Sequence, residues 1–124
     1  MKFSPEIYTS KLEESKEFYT RNLGFEIVKE LEGYIVLSHP KYPEYEIQFC
    51  IPNSPFVKPI FHPEFRGPGL LFQFEVEDVE IEWRKFSDQK GEIVLELCSE
   101  PVNGKHFTLM DPNGILIDLV EFEK

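Results

Sequence analysis

Ser10-Lys11-Leu12-Glu13-Glu14-Ser15-Lys16-Glu17-Phe18-Tyr19-Thr20-Arg21-Asn22-Leu23-Gly24-Phe25-Glu26-Ile27-Val28 is the stretch on which the fold turns. Leu12, Ser15, Phe18, Tyr19 and Asn22 recur at helical spacing and trace one mostly apolar face, which predicts a helix over residues 10–22. Ser10 stands where an N-cap is expected, with Glu13 three residues on as its capping-box partner. Gly24 supplies the stop, and Phe25-Glu26-Ile27-Val28 opens a strand.

The same grammar returns later in the chain. Shifting by 67 carries Leu12 to Val79, Tyr19 to Phe86 and Gly24 to Gly91, and Gly91 is followed by Glu92-Ile93-Val94-Leu95. Farther on the shift becomes 70, and Ile47-Gln48-Phe49 meets Ile117-Asp118-Leu119. A repeat of strand, helix, glycine and strands is therefore expected. Asp78 is the expected cap of the second helix, with Glu82 four residues on. Val79, Trp83 and Phe86 are its buried stripe, which places Trp83 in the core.

Period-two alternation marks the strands. Over 45–51, Ile47, Phe49 and Ile51 share a face, against Glu46, Gln48 and Cys50. Over 70–77, Phe72, Phe74 and Val76 oppose Leu71, Gln73 and Glu75. Over 115–122, Ile115, Ile117 and Leu119 oppose Leu116, Asp118 and Val120. Asp111-Pro112-Asn113-Gly114 is a turn that joins 105–110 to 115–122 as a hairpin. Between Pro40 and Pro68 lie seven of the ten prolines. Proline cannot donate to a ladder, so residues 53–68 read as a linker. Phe56, Phe61, Phe65 and His62 make it too apolar to float free, and it is expected to pack on its own chain or on a partner.

Composition bounds the rest. The chain has 124 residues, 41% hydrophobic and 15% aromatic, enough for a core in one domain. No apolar run is long enough to span a bilayer, and residues 1–10 lack the apolar region of a signal peptide. Cys50 and Cys98 have no CxxC partner and read as two buried, reduced thiols of a cytoplasmic protein. The formal charge of −10 repels phosphates, so neither nucleic acid nor a membrane is an expected partner.

Three strings, in order along the chain, carry a resemblance. Leu12 to Tyr19 followed by Leu23-Gly24-Phe25, then Glu75-Val76-Glu77-Asp78-Val79, then Asp111-Pro112-Asn113-Gly114 followed by Ile117-Asp118-Leu119-Val120-Glu121, are similar to the glyoxalase/bleomycin resistance protein/dioxygenase (vicinal-oxygen-chelate) superfamily. The resemblance implies an α+β fold of two βαβββ modules. Each forms a curved mixed sheet with a helix on one face, and the other face lines a cavity. It places module 1 at about 1–52, the linker at about 53–68 and module 2 at about 69–124, in a single domain.

Metal-using members of that superfamily carry a ligand on the first and on the last strand of each module, and the metal polarises vicinal oxygens of the substrate. By the resemblance those positions fall on Ser4, Gln48, Leu71 and Asp118. Leu71 has no donor atom, and a serine hydroxyl is a poor ligand for Zn, Ni or Fe. No metal and no other cofactor is therefore expected. His39 and His62 sit in proline-rich loops. His106 opens the strand before the turn, where Glu96 or Glu100 could approach it.

The cavity face is expected to carry Glu6, Tyr8, Glu46, Gln48, Cys50, Gln73, Glu75 and Asp118, with His106 joining it if the register allows. Glu6, Tyr8, Glu46, Gln48, Gln73, Glu75, His106 and Asp118 are the candidate ligand-binding residues, and no catalytic residue is assigned. Carboxylates crowded in a cleft favour a cation, and the aromatic side chains suit a planar group. The favoured reading is a metal-free protein that binds and sequesters a small cationic or planar molecule, as bleomycin-resistance proteins do, and that pairs as a homodimer. Three other readings stay open. One is a lyase, isomerase or dioxygenase with a divalent metal at Gln48, Asp118 and another acid such as Glu6 or Glu46. Another is a metal-free enzyme with Asp118 or Glu75 as general base. The last is an interaction module docking through its phenylalanine-rich linker.

Overall fold

The computed structural model describes residues 1–87, 92–102 and 104–123. The chain divides into two units, Met1–Arg66 and Gly67–Lys124. Gly91, the expected stop of the second helix, lies outside the described residues.

The first unit holds β1 (Glu6–Tyr8), α1 (Leu12–Leu23), β2 (Glu26–Leu31), β3 (Tyr34–Ser38) and β4 (Glu46–Cys50). Its sheet runs β1-β4-β3-β2, with β1 parallel to β4 and the other pairs antiparallel. The second unit holds β5 (Leu71–Glu75), α2 (Val79–Ser87), β6 (Ile93–Glu100), β7 (Gly104–Met110) and β8 (Leu116–Glu121), in the order β5-β8-β7-β6. Here too the first strand is parallel to the last and the remaining pairs are antiparallel. Two four-stranded mixed sheets with one helix each make an α+β fold of two βαβββ modules.

The repeat holds in the register. Glu6, Ile7 and Tyr8 pair with Gln48, Phe49 and Cys50, while Gln73, Phe74 and Glu75 pair with Asp118, Leu119 and Val120. These are the same positions under the shifts of 67 and 70. Alternation then decides which face each helix covers. In the first unit the Tyr19 ring lies 5.3 Å from that of Phe49, and both are fully buried. In the second, Phe86 lies 5.9 Å from Phe107. Burying each such side chain contributes roughly 1.5–3 kcal/mol, which fixes the register, since a slip of one residue would turn the face outward.

Local punctuation is partly as expected. Gly24 ends α1 in the left-handed conformation at φ 73°, with its N–H on the Tyr19 carbonyl. The Asp78 carboxylate accepts the N–H groups of Glu80 and Ile81 and caps α2. Asp111 Oδ1 accepts the N–H groups of Asn113 and Ile115, which closes the β7–β8 turn.

Several expectations are corrected. Ser10 does not cap α1. The helix begins after Lys11 without a side-chain cap, because the Glu64 carboxylate takes both the N–H and the hydroxyl of Ser10 at 2.6 and 2.7 Å. Ile51 lies just past the end of β4. Trp83 is half-buried rather than core, and its indole N–H donates to Glu96. Cys50 is buried as expected, but Cys98 is partly exposed, and both thiols are free. The proline-rich segment holds one short 3-10 turn, Pro59–Phe61, and no strand. Its anchoring is with the first unit: the Phe65 N–H donates to the Tyr8 carbonyl, and the Phe61 ring stacks on Tyr8 at 5.7 Å. Phe56, by contrast, stays 96% exposed.

Candidate functional site

In each sheet the face away from the helix collects the polar side chains. In the first unit, strand pairing puts Glu6, Tyr8, Gln48, Cys50, Tyr34 and Glu46 on that face. They form a connected set. Tyr34 donates a short hydrogen bond to Gln48 Oε1, Gln48 Nε2 donates to Ser4 Oγ at 2.9 Å, and Ser4 Oγ donates to Glu46 Oε1 at 3.2 Å. Lys2 closes the chain on Glu46 at 2.5 Å. Burial pushes the Tyr8 and Tyr34 hydroxyls and the Cys50 thiol up from their ordinary values, and the charge of Glu6 pushes all three further. Glu6 itself is exposed and Glu46 half-buried.

In the second unit the same face carries Gln73 and Glu75, both exposed, beside Asp118, His106 and Thr108, all buried. His106 is held between two carboxylates. Its Nδ1 lies 2.7 Å from Asp118 Oδ1 and its Nε2 2.8 Å from Glu100 Oε1. Thr108 Oγ1 donates to the same Asp118 oxygen at 3.0 Å. Two acceptors facing the two ring nitrogens favour the doubly protonated imidazolium, which donates to both. The Asp118 hydrogen bond, with Glu100 behind it, therefore raises the His106 pKa above the usual imidazole value, although burial opposes it.

His106 thus faces away from α2, as its pairing with Val120 requires. His62 and His39 do not join either set: the His62 ring is bonded to the Val57 carbonyl, and His39 packs against Phe25 and Tyr42. Tyr34, Thr108 and Cys98 were missed as partners of these groups. For Tyr34 and Thr108 the signal was present in strand parity. Along β6 the register shifts between Ile93 and Leu95 and again between Leu95 and Cys98. Each irregularity exchanges the two faces: Leu95 is turned to the side of Thr108, and the second shift restores the alternation counted from Ile93, so Cys98 comes to lie opposite His106.

The positions that the family uses for metal can be tested against these contacts. Leu71 offers no donor. Both ends of the Gln48 amide are engaged, by Tyr34 and Ser4, and the Ser4 hydroxyl is turned to Glu46. Asp118 Oδ1 is held by His106 and Thr108. This donor set does not fit a metal centre that needs three protein ligands.

A model of the glyoxalase/bleomycin resistance protein/dioxygenase superfamily matches residues 4–119. No curated protein is similar enough in sequence to match. Among solved structures, a glyoxalase/bleomycin resistance protein/dioxygenase from Nocardioides superposes with a TM-score of 0.79 at 16% identity, over 100% of this chain and 84% of that one. A superfamily member from Sphaerobacter thermophilus gives 0.71 at 19% identity, over 98% and 96%. A lactoylglutathione lyase from Agrobacterium tumefaciens gives 0.70 at 20% identity, over 98% and 92%. At such identities the likeness speaks for the fold, while the match over residues 4–119 speaks for descent: the chain belongs to the glyoxalase/bleomycin resistance protein/dioxygenase superfamily.

Proposed function

We propose that this protein binds and sequesters a small planar cation and uses no metal at the ligand positions of its family. The observation that carries the reading is the state of those four positions. One is a leucine, the Gln48 amide and the Ser4 hydroxyl are engaged with side chains of their own unit, and Asp118 Oδ1 is held by His106 and Thr108. Gln48 and Asp118 therefore give little support to a lyase, isomerase or dioxygenase centre.

What remains for a ligand is charge and aromatic surface. Glu6 is exposed on the open face of the first unit, with Glu46 and Tyr8 half-buried there, and Gln73 and Glu75 are exposed on the open face of the second. Gln48 stands in the open face of the first unit, and His106 and Asp118 in that of the second. A cation over the Tyr8 ring gains roughly 0.5–2 kcal/mol, and a nearby carboxylate adds up to about 1 kcal/mol. The homodimer belongs to the same proposal, supported by apolar side chains left open on β2, where Ile27, Val28 and Leu31 are 43%, 58% and 57% exposed. A cytoplasmic setting is supported by two free thiols. Among the described residues no helix is long and apolar enough to cross a membrane.

The test is a fluorescence titration with naphthamidinium, naphthamide and naphthoate, which share a ring and differ in charge. The cation is expected to bind at least about tenfold more tightly than the neutral amide. Glu6→Gln and Glu75→Gln should each cost about two- to fivefold. Equal binding of all three probes would reject the reading.

A further inference from the structure

Away from the family's metal positions, the β6–β7 hairpin gathers three different donor atoms. Cys98 and His106 are direct cross-strand partners, and Glu100 follows Cys98 by two residues, on the same side of β6. Cys98 Sγ lies 3.8 Å from His106 Nε2 and 3.8 Å from Glu100 Oε1, and the last two atoms are 2.8 Å apart. All three atoms fall within 4.8 Å of one another. Behind them Asp118 Oδ1 holds the other ring nitrogen, Nδ1, at 2.7 Å.

We propose that Cys98, Glu100 and His106 form a binding site for a zinc-class divalent transition ion, with Asp118 as the positioning residue for the histidine. Thiolate, imidazole and carboxylate together are a borderline-soft set, suited to Zn2+ and Co2+ and poorly suited to Mg2+ or Ca2+. With Zn–S near 2.3 Å and Zn–N and Zn–O near 2.0–2.1 Å, tetrahedral ligand atoms stand about 3.3–3.6 Å apart. The separations found here differ from that by a few tenths of an ångström, within reach of a rotamer adjustment of the partly exposed Cys98 and the exposed Glu100. The buried His106 needs no movement, since its Nε2 is already aimed at the other two donors.

The second shell has the arrangement that metal-binding histidines commonly show. A ligating imidazole donates its far N–H to a carboxylate, which fixes the ring and its tautomer. Asp118 does this for Nδ1, and Thr108 in turn donates to the same Asp118 oxygen at 3.0 Å. The second register shift of β6 offsets the first and keeps Cys98 and Glu100 on the side of His106. Strict alternation from Leu95, which faces Thr108, would place residue 97 rather than 98 on the open side, and the second shift brings Cys98 and Glu100 there instead. Binding displaces the Cys98 thiol proton and the proton between His106 Nε2 and Glu100 to solvent. Three protein ligands leave the fourth position for water or an exogenous donor.

This site and the cation-binding reading fail separately, because the naphthamidinium titration is run in chelator and the metal titration without probe. The experiment uses the full chain with no histidine tag, stripped by chelator and kept reduced. Zn2+ is added in a calorimeter, and Co2+ is followed by its visible spectrum. The expected result is one equivalent of Zn2+ per chain at micromolar affinity or better, and a cobalt spectrum with a thiolate charge-transfer band. Cys98→Ser should abolish that band and weaken Zn2+ at least tenfold, and Glu100→Gln should weaken Zn2+ at least tenfold. Asp118→Asn should cost ten- to a hundredfold. Cys50→Ser should leave both readouts unchanged. Because Cys98 and Glu100 are not core residues, their variants keep the test open even where an Asp118 or His106 variant unfolds. Absence of stoichiometric Zn2+, or a charge-transfer band that survives Cys98→Ser, would overturn the proposal.

Discussion

His106 Nδ1 and Asp118 Oδ1 stand 2.7 Å apart on neighbouring strands, two residues off direct pairing, with both side chains almost wholly buried. The hydrogen bond to Asp118, backed by Glu100, raises the His106 pKa. A raised folded value means that the imidazolium stabilises the fold fully below the unfolded imidazole pKa of about 6.5, and that this contribution fades as pH rises through the folded value. In chelator, urea unfolding should show a larger stability loss for His106→Gln at about pH 6 than at about pH 9. A difference independent of pH would show that the ring sits between the acids uncharged.

Gly104 opens β7 at φ 72°, and a Cβ there would stand 2.7 Å from the Glu121 carbonyl oxygen. Gly24 has nearly the same φ, 73°, but its Cβ would meet His39 at an ordinary 3.6 Å. Gly24→Ala should therefore cost the conformational term alone, about 1–2 kcal/mol, and Gly104→Ala distinctly more, because backbone must move. Thermal or urea unfolding of the two variants side by side decides it.

Glu64 fastens the proline-rich segment to the start of α1. Its carboxyl is held below the usual range, chiefly by the Ser10 N–H and then by the Ser10 hydroxyl. A depressed folded pKa stabilises above the ordinary carboxyl value, and the contribution is lost as pH falls through the folded one. Glu64→Ala should speed hydrogen exchange at the Ser10 amide by about tenfold near neutral pH, since a charge-assisted bond is lost. Unchanged exchange would mean that the amide is protected by other contacts.

Much of this architecture was legible because it rests on local rules. Alternation along 71–75 and 116–121, helical spacing over 12–19 and the Asp111–Gly114 turn each depend on neighbours in sequence, and the register of Glu6 with Gln48 and Gln73 with Asp118 followed from them. What escaped depends on distant partners. Ser10 has the chemistry of a cap, yet Glu64 claims it from far along the chain. Cys98 has no partner at motif spacing, and its approach to His106 depends on pairing across the β6–β7 hairpin. Glu100 is within reach of His106 from the sequence alone, and the parity of β7 places Thr108 beside Asp118.

The central claim is that a planar cation binds without a metal at the family positions. Its most direct measurement is calorimetry of naphthamidinium against chelator-stripped protein, at low and high salt, with the probe recovered afterwards. The account predicts saturable binding that persists in chelator, weakens as salt is raised and returns the probe unaltered. Binding that vanishes in chelator and returns with metal in the Cys98→Ser variant would contradict it, by restoring a metal to Gln48 and Asp118.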